Sequence, residues 1–117
     1  MRYMMLVFQD EQAAKRATEA ELQESEQVFH EFHAQMRARG GMQAAERLRH
    51  TDTATTVRVR SGQLLTTDGP YAETKEQLGG AYIFECEDLD EAIEIAAMIP
   101  TAQSGAIEVR PIYGDYA

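Results

Sequence analysis

The chain has 117 residues, with 11 Lys and Arg against 20 Asp and Glu for a formal net charge of −9, and its length suits a single domain spanning residues 1–117, since domains run to about 100–200 residues. With 44% apolar and 26% charged residues, it reads as a soluble globular protein, not a disordered, collagenous or membrane chain. The acid excess counts against direct binding of nucleic acid, which rests on clustered positive charge.

No apolar run approaches the roughly 18 residues of a membrane span. The apolar stretch at residues 3–8 is short and has no small-residue cleavage site after it, so no signal peptide and a cytoplasmic location are expected. Cys86 is the one cysteine, which rules out an internal disulfide. It lies in an apolar run beside Glu85, Glu87 and Asp88, surroundings that favour an inert buried thiol over a reactive one.

Residues 3–8, Tyr-Met-Met-Leu-Val-Phe, predict a strand that is apolar on both faces. Residues 9–17 read as polar connection. The Thr18-Glu19-Ala20-Glu21 pattern is a capping box that starts a helix. On that helix Leu22, Phe29, Phe32 and Met36 fall within about 80° of one another, Arg37 and Arg39 suit its carboxyl end, and Gly40-Gly41 stops it. Residues 42–48 predict a second, Ala-rich strand. Residues 55–60 alternate Thr55, Val57 and Val59 against Arg58 and Arg60, and Ser61-Gly62 turns the chain into a partner strand at residues 64–67. Pro70 closes that hairpin.

After Gly79-Gly80, residues 81–86 predict a third principal strand, again apolar on both faces. Asp88 caps a second helix with an inner stripe of Leu89, Ala92, Ile93, Ala96 and Ala97. Pro100 ends it. Residues 106–113 alternate as a last strand. The order is that of an α+β, ferredoxin-like split βαβ fold with an inserted β-hairpin. Two helices cover only one face of such a sheet, so strands apolar on both faces predict that a second copy covers the other, in a homodimer.

The run Asp68-Gly69-Pro70-Tyr71-Ala72-Glu73-Thr74-Lys75-Glu76-Gln77-Leu78-Gly79-Gly80 closely resembles the signature of the YCII-related domain family, in its DGPF branch, with Tyr71 where the branch name carries Phe. Residues 3–7, 55–60, 89–92 and 107–112 extend the resemblance over almost the whole chain. It implies a dimeric α+β barrel. It further implies, through lyase-like and dehalogenase-like relatives, a small-molecule site using a His and an Asp for proton transfer. Proteins of that branch are also encoded beside extracytoplasmic-function sigma factors, which implies as an alternative a non-catalytic regulatory or accessory module with such a protein partner.

Asp68, Glu73, Lys75 and Glu76 place four ionisable groups around one turn. Asp68 is the candidate proton acceptor, and Gly69, Pro70, Tyr71, Glu73, Lys75 and Glu76 are the candidate ligand-binding residues beside it. The alternative is a structural turn in which Asp68 accepts backbone amides and Lys75 pairs with a Glu. His33, on the shoulder of the first helix's apolar face, is the second candidate for proton transfer; its alternative is a half-buried imidazole with one hydrogen bond. Arg110 is a candidate clamp for a ligand carboxylate or, equally, a partner of Glu108. Glu26, His30 and His33 share one side of the helix, but nothing completes a coordination shell, so neither a metal nor another cofactor is expected. Phosphate-loop, nucleophile-elbow and dinucleotide fingerprints are missing from the sequence.

Overall fold

The computed structural model of the chain describes residues 1–114. Its elements, in order, are β1 (Arg2–Gln9), α1 (Glu11–Lys15), α2 (Glu19–Arg39), β2 (Met42–Arg47), β3 (Thr55–Arg60), β4 (Gln63–Asp68), β5 (Gln77–Glu85), α3 (Leu89–Met98) and β6 (Ala106–Pro111), with 3-10 turns at Thr51–Thr53 and Pro100–Gln103. The principal sheet runs β2-β5-β1-β6 and is antiparallel throughout, while among the described residues β3 and β4 pair only with each other. This is the ferredoxin-like strand order with a separate hairpin. The sheet is open: one chain does not close a barrel.

Register decides what each side chain meets. Met5 lies opposite Tyr82 on one side and Val109 on the other, and because successive residues point to opposite faces, one face gathers Tyr3, Met5, Val7, Tyr82 and Phe84. That face carries the core. Phe32 and Met36 of α2, and Ala92, Ile95 and Ala96 of α3, pack on it together with Ile99. The out-of-phase residues Met4, Leu6, Phe8, Ala81 and Ile83 form the other face and stay only half-buried.

Three local expectations are revised. Residues 9–17 hold the short helix α1, capped by Asp10, whose carboxylate accepts from the Gln12 and Ala13 amides. In α2 the capping box forms as read, yet Leu22 is exposed; the buried residues are Phe32 and Met36, with Phe29 beside them. In α3 the inner stripe is Ala92, Ile95, Ala96 and then Ile99, while Leu89 and Ile93 face solvent. Leu89 and Ile93 lie at the margin of a broad apolar side, opposite Asp90, Glu91 and Glu94, so contacts with the sheet select which row is buried.

β5 begins four residues before the expected strand, taking in Gly79-Gly80. There the β1 register shifts: Val7 opposes Gly80 while Phe8 opposes Leu78, leaving Gly79 as the extra residue of a bulge. A Cβ on Gly80 would stand 2.7 Å from the Glu46 carbonyl oxygen of the neighbouring strand. Only glycine fits that approach.

The chain is spread out for its size. Its radius of gyration is 16.3 Å, against about 13 Å for a compact domain of this length. It exposes 8518 Å², where a typical monomer of 13.1 kDa exposes about 6,400 Å².

Candidate functional site

A cleft of about 730 Å³ opens on the face of the sheet that the helices leave uncovered. Its floor is Leu6 and Phe8 of β1 with Leu78 of β5. Its walls are the segment from Leu48 to Thr56 and the loop from Pro70 to Gln77. The size falls within the roughly 300–1,000 Å³ typical of small-molecule sites.

Both walls are tied down by hydrogen bonds. Glu11, buried at the start of α1, accepts from the Thr51 amide at 2.8 Å and from the Thr51 hydroxyl at 2.6 Å. The Thr53 amide and hydroxyl both donate to the His50 carbonyl. The Leu48 amide donates to the Gly79 carbonyl at 2.9 Å, anchoring the start of this wall to the sheet. Across the cleft, Gly69 adopts φ of +104°, a left-handed conformation that explains glycine after Asp68. Its amide donates to the Ala54 carbonyl at 2.7 Å, and its own carbonyl accepts from the Thr56 hydroxyl at 2.8 Å. Gln77 then donates its side-chain amide to the carbonyls of Ala72 and Thr74, and the Thr74 hydroxyl donates to the Glu76 carbonyl. The signature run is therefore, in large part, a hydrogen-bonded brace that holds one wall of the cleft.

The structure divides the residues singled out from sequence. Pro70, Tyr71 and Glu76 line the cleft. Gly69 supports it from behind, and Asp68, at the end of β4 opposite Thr55, is exposed and outside the lining. Glu73 and Lys75 are exposed on the same loop. Arg110 stands on β6 opposite Met4, on the uncovered face, and pairs with Glu108 two residues earlier.

His33 lies on the helix-covered side of the sheet. Its Nε2 is 2.8 Å from the Tyr82 hydroxyl, and its ring packs against Phe29, Phe32 and Tyr82. Tyr82 belongs to the core face and Leu6 to the opposite one, so the sheet separates His33 from the cleft. The two proton-transfer candidates are thus not brought together. Burial, then the Arg37 guanidinium and the neighbouring His30 side chain, hold the His33 imidazole below its ordinary range, and burial pushes the Tyr82 phenol up. The tautomer of the imidazole sets the direction of this bond, Nε2 accepting from the tyrosine hydroxyl or donating to its oxygen. Cys86 is buried, and that burial, reinforced by Glu91, raises its thiol pKa and keeps it unreactive.

Sequence reasoning passed over Arg49, His50 and Thr51, all in the lining, and Glu11 behind them. No motif marks them. What gathers them is the packing of α1 against the 3-10 turn at Thr51–Thr53. Among the described residues no group of three or more His, Cys, Asp and Glu side chains is arranged to hold a metal ion, and no helix is long and apolar enough to cross a membrane.

The family model of the YCII-related domain matches residues 1–114. The chain belongs to the YCII-related family. A relative in Rhizobium meliloti (strain 1021), described as an uncharacterized protein, is 36% identical in an alignment covering 96% of this chain and 92% of the relative. Membership agrees with the ferredoxin-like order of elements. Within the matched span, residues 68–80 form the brace beside the cleft, while the floor comes largely from β1.

Proposed function

We propose that this YCII-related chain binds a small molecule with an apolar body and an anionic end, and that it does so as a homodimer. The cleft carries this reading. Leu6, Phe8, Leu78 and Pro70 offer an apolar bed, Arg49 and His50 stand in the lining where a carboxylate can be met, and threonine hydroxyls lie along the wall. Few polar groups around an apolar surface are what fixes a ligand's orientation. Glu76 adds an acceptor for a ligand hydroxyl or amine. The homodimer is supported by the half-buried apolar residues of the same sheet face, because a soluble chain leaves so contiguous a patch uncovered mainly where something binds. The reading is of binding, not of proton transfer between Asp68 and His33, since the sheet stands between His33 and the cleft.

Thermal unfolding in the presence of benzoate, short-chain carboxylates and lactones tests it. A ligand at about 100 times its Kd stabilises by roughly 2.7 kcal/mol, an upward shift that is easily read. The shift should be lost or much reduced in Arg49→Gln and retained in Asp68→Ala. No shift with any of these compounds, or equal shifts in wild type and Arg49→Gln, would count against the site.

A further inference from the structure

The β3–β4 hairpin is the part of the molecule that its own chain does not explain. Among the described residues it pairs with no other strand, and all but one of its strand residues are exposed. A two-stranded hairpin alone in water is marginally stable at best. Directly opposed residues of an antiparallel pair share a face; Val59 opposes Leu64 and Val57 opposes Thr66, so three large aliphatic side chains share one face. Val57 is 58%, Val59 60% and Leu64 68% exposed. The other face carries Arg58 and Arg60. Ser61 and Gly62 both take positive φ, making a tight turn that holds the two strands in register.

We infer that this hairpin is an arm that clasps a second copy of the chain and completes the wall of the cleft with it. Three observations carry the choice of occupant. The excess surface is about 2,000 Å² over a typical monomer of this mass, which is of the size that one subunit contributes to a stable dimer interface. The hairpin from Thr55 to Asp68 holds Arg58 and Arg60 against the one acid Asp68, a net positive arm in a chain of net charge −9, so its charge favours another copy of its own acidic chain. The root of the arm also stands on the uncovered side of the sheet: Ala54, Thr55 and Thr56 line the same cleft as Leu6, Phe8 and Leu78. A copy seated on that face meets the apolar face of the arm beside it.

The inference rests on the homodimer reading, and the experiment separates the two. Sedimentation of the full chain is compared with Val59→Glu/Leu64→Glu, whose side chains face solvent in the single chain, and with Leu6→Glu on the sheet face; circular dichroism checks that each variant is folded. Wild type should sediment at twice 13.1 kDa, Leu6→Glu should be monomeric, and the hairpin variant should need at least tenfold more protein to dimerise. Hydrogen exchange supplies a readout that needs no substitution: amides of β3 and β4 should be protected in the dimer and lose that protection on dilution. A monomeric wild type overturns the dimer and the arm together. A dimer that the hairpin variant leaves unweakened, with β3 and β4 exchanging freely, overturns the arm alone.

Discussion

Glu11, which is buried, and His33, which is half-buried, show how differently two ionisable side chains can serve one fold. Glu11 is 6% exposed, and its carboxylate is satisfied by the amide and hydroxyl of a single residue, Thr51. Truncating it leaves both donors without their acceptor. Glu11→Ala should therefore lower stability by about 1–3 kcal/mol and weaken ligand binding, because the wall carrying Arg49 and His50 loses its anchor; denaturant titration measures the first effect and ligand-induced thermal shift the second. His33 has its protonation held below the ordinary value of about 6.5 by burial first, then by Arg37 and His30. The unfolded chain takes up that proton at a higher pH than the folded one does. The stability from neutral His33 is thus complete above about pH 6.5 and drains away as the pH falls toward the folded value. Stability should decline as the pH falls below about 6.5, and His33→Gln should show a shallower decline; equal slopes would contradict the assignment.

At the scale of elements, packing overrides local pattern wherever the pattern is ambiguous. The strong signals hold: the Thr18 and Glu21 box forms in both directions, and Asp88 caps α3. By contrast, the inner stripe of α3 turns on which of several apolar rows meets the sheet. Phe84 is fully buried at the centre of the core, so Phe84→Ala should cost about 3–5 kcal/mol, readable as a lowered denaturation midpoint. Gly80→Ala should also destabilise, by about 1–3 kcal/mol. Here the added methyl runs into the Glu46 carbonyl and must push β2 away. Cold, simple chemistry at two strands thus explains a glycine pair that from sequence alone looks like loop.

The whole molecule is a thin layered body, 48 × 44 × 18 Å, with one sheet face under helices and the other open. If that open face and the hairpin arm are covered by a second copy, folding and association are linked by mass action. The midpoint of thermal unfolding should then rise as the chain is concentrated from about 1 to 100 μM, at the pace mass action sets. A midpoint that does not move would argue against the homodimer. The candidate cleft belongs to this scale too, for its floor, its two walls and Glu11 come from segments far apart in the chain.

Sequence by itself determined the order of the principal strands and the two longer helices, the Thr18 and Asp88 caps, the two-faced central strands and the family, because each rests on spacing within a few residues or on a contiguous run such as residues 68–80; the short helix α1 and its Asp10 cap escaped it. It also located one wall of the cleft through Pro70, Tyr71 and Glu76. Only the tertiary structure decided that His33 and Asp68 stand on different sides of the sheet, that Arg49, His50 and Thr51 share a lining with Phe8, and that the hairpin stands free of the principal sheet. Strand pairing and the face a helix presents depend on contacts between residues distant in the chain, and a one-residue change of register moves a side chain from core to cleft.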